Sequence, residues 1–205
     1  LNFADLSPDD LLKASQLSPA IGRYLDIFKN TPDTFEDQLR AKRHKYWITA
    51  ATSTLLQSHS TRDICEYWSH CADEILKSAW TQSGLHTEAL ALFALGKLGS
   101  LELNLSSDVD LLVISETLPT PEIYKKFREF NRLLTQSTEF GFALRTDFDL
   151  RPGGRFGSTI ISLGQAEDYY WTQGATWERL ANIRLRPITG EKKIIDAYME
   201  LLKRY

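Results

Sequence analysis

A chain of 205 residues with 24 Lys+Arg against 27 Asp+Glu, a net charge of −3 and 42% hydrophobic residues has the balance of a soluble globular protein. The slightly acidic balance argues against nucleic-acid binding as the main activity, since phosphate neutralisation needs basic residues in excess. No apolar stretch approaches the roughly 18 residues that a membrane span requires. The N-terminus, Leu1-Asn2-Phe3-Ala4-Asp5, shows no basic segment followed by an apolar run, so no export signal is expected and the expected compartment is the cytoplasm. The chain does not begin with Met and ends inside a charged helix-like run, Glu191 to Tyr205, and so reads as a piece of something longer.

The first half reads as helices with strong start signals. Ser7-Pro8-Asp9-Asp10, Ser18-Pro19 and Thr31-Pro32-Asp33 each place a capping oxygen before a proline at the first helical position. The third helix is expected to run through Phe35, Leu39, Tyr46, Ile48 and Leu55, with a basic middle at Arg40, Lys42, Arg43 and Lys45. A fourth should start near Ser60-Thr61 and stop at Gly84. Cys65 and Cys71 lie within it on different faces, a spacing that suits neither a zinc site nor a redox pair, and both read as free thiols. Residues 1–87 are therefore expected to form an N-terminal helical region.

The character changes at Glu88. Ala89 to Leu95, closed by Gly96, and Val109 to Ile114, opened by Asp108, are short apolar runs of the kind that forms buried strands. Pro121 to Phe140 has helical periodicity, Leu144 to Leu150 alternates like a strand, and 164–173, 175–186 and 191–204 read as helices. The expected fold class is α+β: a small mixed sheet covered by helices, with the core over residues 88–205. Trp68, Trp80 and Trp171 are expected in the core, with Tyr169 and Tyr170 packed along a helix. His44, His59, His70 and His86 have no spacing that suggests a ligand set.

The chemistry concentrates at Asp108-Val109-Asp110. Strand side chains alternate, so both carboxylates project to one side and repel each other unless a cation neutralises them. Mg²⁺ suits such a pair, since it takes carboxylate oxygens together with water and substrate phosphates. A lone pair of this kind is otherwise a solvated strand end, so its neighbours matter. Upstream, Gly96-Lys97-Leu98-Gly99-Ser100 makes a turn whose backbone and lysine suit a phosphate; downstream, the third strand carries Asp147 and Asp149. Acids and a phosphate turn on one sheet edge suit a two-metal in-line displacement at phosphorus.

The run from Gly96 through Ser100, Asn104, Ser106 and Asp108-Val109-Asp110 to Leu111 closely resembles the signature of the glutamine synthetase adenylyltransferase family, within the DNA polymerase β-like nucleotidyltransferase superfamily. The likeness continues at Asp147 to Gly154, Asp168-Tyr169-Tyr170, Thr176-Trp177-Glu178-Arg179, Arg184-Leu185-Arg186 and Gly190, and upstream at Leu39-Arg40-Ala41-Lys42-Arg43. It covers about residues 35–190.

The resemblance implies a metal-dependent nucleotidyltransferase. Asp108, Asp110 and Asp147 would be the catalytic, metal-binding carboxylates for Mg²⁺ or Mn²⁺. Gly99 and Ser100 would form the phosphate-contacting turn, with Lys97 and Arg151 as further phosphate contacts. Nucleotide (ATP or ADP) and phosphate would be substrates, glutamine synthetase the protein partner, and a PII-type signalling protein a partner of the full-length chain. Family members carry two such domains: an N-terminal one that removes AMP from a tyrosine by phosphorolysis, giving ADP, and a C-terminal one that adds AMP from ATP. Asp168-Tyr169-Tyr170, Gln173-Gly174 and Trp177-Glu178-Arg179 resemble the AMP-removing copy more closely. Addition of AMP, or a non-catalytic docking domain, are the alternatives. The second is motivated by Asp149, which stands where the family has Arg; on a continuous strand it would face the same side as Asp147.

Overall fold

The computed structural model describes residues 6–27 and 32–205. Helix α1 (Pro8–Leu17) starts as expected, with Ser7 and Asp10 capping one another, and α2 (Pro19–Ile27) begins at Pro19. Helix α3 (Phe35–Leu55) begins three residues after Pro32, the start expected from sequence, because Thr34 supplies the cap, its hydroxyl accepting from the Asp37 N–H; Thr31 itself lies outside the described residues. Helix α4 (Thr61–Gln82) opens on a Ser60–Asp63 capping box. Among the described residues no helix is long and apolar enough to cross a membrane.

Strands β1 (Leu90–Ala94) and β2 (Val109–Ser115) pair antiparallel and are joined through a single helical turn, α5 (Gly96–Gly99). Helix α6 (Pro121–Thr135) follows, then β3 (Thr146–Asp147), β4 (Ile160–Ser162), α7 (Leu163–Thr172), α8 (Thr176–Asn182), β5 (Arg186–Gly190) and α9 (Lys192–Arg204). The sheet order is β3-β2-β1-β5, and β4 lies parallel to β2 further along the edge that β3 occupies. The fold is thus α+β, with a small mixed sheet.

Both faces of the sheet are covered, which explains why β1 and β2 read as unbroken apolar runs. Leu90, Leu92, Leu111 and Val113 meet Trp68, Ile75, Trp80 and Phe130 from α4 and α6. Ala91, Phe93, Leu112 and Ile114 meet Ala166, Tyr170, Ile194 and Tyr198 from α7 and α9. The two arginines in the basic middle of α3 are not solvated. Arg40 is buried, with its guanidinium bonded to the carbonyls of Glu36, Gln136 and Gly141, and Arg43 is buried among the rings of Tyr24, Trp47, Trp68 and Phe142.

Four further sequence expectations change. Helix α6 ends at Thr135 because Thr138 and Gly141 close a tight bridge, fastened by Arg40. The strand expected over 144–150 keeps only Thr146 and Asp147. The segment 175–186 is a short helix that gives way to β5. Trp171 is 60% exposed, because α7 turns its neighbour Tyr170 and Ala166 inward.

Candidate active site

Asp110 alternates with Leu112 and Ile114 on β2 and so projects from the face covered by α7 and α9, at the end of the strand where that cover stops. Its parallel register partner on β3 is Asp147, and residues paired this way project to the same face. A Thr146 Oγ1 donation to Asn131 Oδ1 at 2.7 Å ties β3 to α6. Two half-buried carboxylates therefore stand side by side. Burial first, and then the charge of Asp147, push the Asp110 carboxyl above the ordinary carboxylate range; Asp108 adds to the effect and Lys97 opposes it.

Gly96 makes room for this pair. It follows β1 with φ +52°, a left-handed conformation that side chains disfavour, and a Cβ there would overlap the Asp110 carboxylate. Gly99 is needed for another reason: a Cβ there would overlap the carbonyl of Arg184. Ser100 lies in a cleft with Thr61, Arg62, Cys65 and Glu66, while Lys97, exposed, donates to Ser107 Oγ at 3.0 Å just before Asp108. Asn104 Oδ1 accepts from the Ser106 N–H at 3.1 Å and shapes the loop into β2.

Asp108 is engaged by an arginine. Arg145 Nε donates to Asp108 Oδ1 at 2.5 Å, and its Nη2 donates to the Ser106 carbonyl. Arg145 escaped the sequence reading because only the parallel register of Thr146 with Val109 sets position 145 beside position 108. Among the described residues, no three His, Cys, Asp or Glu side chains are gathered as a metal would need. Asp110 and Asp147 nevertheless offer the hard carboxylate oxygens that suit Mg²⁺ or Mn²⁺. Asp108 would join them on leaving Arg145.

Arg151 is buried and spends its guanidinium on carbonyls, donating to Phe148 O at 2.7 Å and to Gly157 O at 3.0 Å, so it fastens the loop after β3. Asp149 follows the end of the strand, and the alternation that would aim it with Asp147 does not apply there. Its N–H donates to Asp147 Oδ1 at 2.7 Å, and its carboxylate lies 3.6 Å from Arg151 and 3.5 Å from Arg155. The other motif arginines are also engaged. Arg186 forms a two-pronged pair with Asp73 at 2.7 and 3.0 Å, Arg184 lies 3.7 Å from Glu102, and Arg179 stacks over Tyr205. Glu178 is buried and accepts the Ala175 N–H at 2.7 Å.

The profile of the glutamate-ammonia ligase adenylyltransferase family matches residues 6–200. A protein of Nitrosococcus oceani is 30% identical over 191 residues, covering 80% of this chain and 20% of its own length. One of Pseudomonas syringae pv. tomato is 30% identical over 199 residues, covering 84% and 20%. One of Idiomarina loihiensis is 29% identical over 218 residues, covering 94% and 23%. Each is named a bifunctional glutamine synthetase adenylyltransferase/adenylyl-removing enzyme. This chain spans about a fifth of the length of these relatives. With the signature string placed at the acidic sheet edge and the family profile covering nearly all of the sequence, the chain belongs to the glutamate-ammonia ligase adenylyltransferase family.

Proposed function

We propose that this chain is a metal-dependent nucleotidyltransferase domain that removes AMP from the adenylylated tyrosine of glutamine synthetase by phosphorolysis, releasing ADP. The observation that carries this reading is the register of Asp110 with Asp147 beside the Gly96 turn. Asp110, Asp147 and, once freed, Asp108 would hold Mg²⁺ or Mn²⁺, which when bound supplies charge neutralisation for the reacting phosphates and the departing oxygen.

The protein's own residues position the reactants. Lys97, exposed on the turn, is a cation available to an incoming phosphate, and Gly96, lacking a side chain, leaves the Asp110 carboxylate its place beside the turn. A phosphate oxygen forms a bond to the AMP phosphorus while the bond to the tyrosine oxygen breaks. The phenolate leaves and takes a proton from solvent, so ADP and free tyrosine result, with no covalent enzyme intermediate. The likeness of Asp168-Tyr169-Tyr170 and Trp177-Glu178-Arg179 to the AMP-removing copy supports this direction. The pairing of Asp149 with Arg151 and Arg155 supports catalysis over a purely docking role, because its charge is balanced rather than added to that of Asp147. Gly99, Ser100 and Arg151 act on this reading through the backbone they shape. In the full-length chain, a PII-type protein would be a regulatory partner.

The test is ADP formation from AMP-modified glutamine synthetase, phosphate and Mg²⁺. ADP that requires phosphate supports removal. AMP transfer from ATP to the unmodified enzyme instead would assign the opposite direction, and silence in both would favour the docking reading.

A further inference from the structure

Along the sheet edge that carries the acids, Ile161 of β4 lines a cavity of about 390 Å³. Gln165, Tyr169 and Gln173 are spaced four apart and so form one row along α7 and its C-terminal cap. Residues of the loop 152–158, together with Ile161, complete the lining. This loop lies within the connection from β3, which ends at Asp147, to β4. Ile161 is the register partner of Ile114, four residues along β2 from Asp110 on the same face. At the rise of a strand that separation is roughly 13 Å, the scale of one nucleotide.

The chemistry of the lining is selective. It contains two carboxamides, a phenol, the Ser158 hydroxyl and the Phe156 ring, with no charged side chain. Gln165 Oε1 already accepts the Ser162 N–H at 3.1 Å, which leaves its amide N–H groups as donors. Phe156 is 95% exposed, an aromatic face held in water on a loop that Arg151 pins to the end of β3. Neutral donors and acceptors beside an open ring suit an uncharged planar heterocycle and give a phosphate nothing to neutralise it.

We propose that this cavity is the nucleobase subsite: the adenine of the AMP group lies between Phe156 and the Gln165–Tyr169–Gln173 row, while its phosphorus lies at Asp110 and Asp147. The inference rests on the nucleotidyl-transfer reading and adds to it where the base is held. Phe156 is a binding residue that stacks on the base, and the two glutamines meet its polar edge.

The test measures equilibrium binding of AMP and of ribose 5-phosphate in Mg²⁺ to the protein and to Phe156→Ala, a change at an exposed side chain that leaves the core intact. Photolabelling with 8-azido-AMP is read in parallel. Phe156→Ala is expected to weaken AMP by about tenfold and to leave ribose 5-phosphate unchanged, with the photolabel on peptides containing Phe156, Tyr169 or Gln173. AMP bound equally well by the variant and labelled elsewhere would overturn the subsite and leave the transfer reading standing. A protein that binds no AMP at all would overturn both.

Discussion

Arg145 holds Asp108: its Nε donates to Asp108 Oδ1 at 2.5 Å while the same guanidinium grips the Ser106 carbonyl. The pair occupies one acid of the signature. Both side chains are about half exposed, so the bond is worth at most about 1 kcal/mol. Arg145→Gln is accordingly expected to lower the half-saturating Mn²⁺ concentration, by no more than about fivefold. A titration in the presence of nucleotide checks this, and a rise would mean that Arg145 positions Asp108 for the metal.

Gly96→Ala introduces a methyl group into the space of the Asp110 carboxylate, at a backbone conformation with φ +52°. A strained backbone and a displaced acid together are expected to cost roughly 1–3 kcal/mol of stability and most of the activity. Urea denaturation and initial rates measure the two losses separately.

The Asp73–Arg186 pair joins α4 to β5, and Arg186 also donates to the Leu98 carbonyl at 3.1 Å beneath the α5 turn. Asp73 is buried and Arg186 is three-quarters covered. Asp73→Ala leaves a largely buried cation without its partner and should destabilise the fold by roughly 3 kcal/mol. Asp73→Asn, which keeps an acceptor, should cost less. Equilibrium unfolding of the two variants gives the comparison.

His44 should make stability depend on pH. Arg43 donates to its Nδ1 at 3.3 Å, so the proton of the neutral ring belongs on Nε2, which donates to the Phe140 carbonyl at 2.7 Å. Burial, reinforced by the charge of Arg43 and opposed by the Phe140 bond, pulls the His44 pKa down to about 4. The folded state thus binds this proton less readily than the unfolded chain. The contribution of His44 is complete above about pH 6.5 and declines as pH falls toward 4, by roughly 3 kcal/mol. Unfolding free energy measured between pH 7 and 4 should show this slope, and His44→Gln should flatten it.

The parts of the fold legible in sequence are those whose local pattern agrees with their surroundings. Ser7 and Ser60 start helices through their own capping bonds, and β1 and β2 are apolar throughout because both sheet faces are covered. Strands β3, β4 and β5 are set by pairing: two residues at Thr146–Asp147 or three at Ile160–Ser162 carry no periodicity, and Pro187 sits inside β5. The end of α6 depends on Arg40, distant in sequence, and so does not appear in the local pattern. Motif and alternation single out Asp108, Asp110 and Asp147 as candidates, but the pairing of Asp110 with Asp147 comes from the register of two separate strands. Arg145, and the turn that takes Asp149 away from the strand, needed the register.

The most direct test of the proposed site is the single-turnover rate of ADP release from AMP-modified glutamine synthetase with Asp110→Asn and with Asp147→Asn, each checked for native circular dichroism. Each substitution is expected to slow release by at least about a hundredfold. A rate within about twofold of the parent for either variant would contradict the assignment of that pair as the reaction centre.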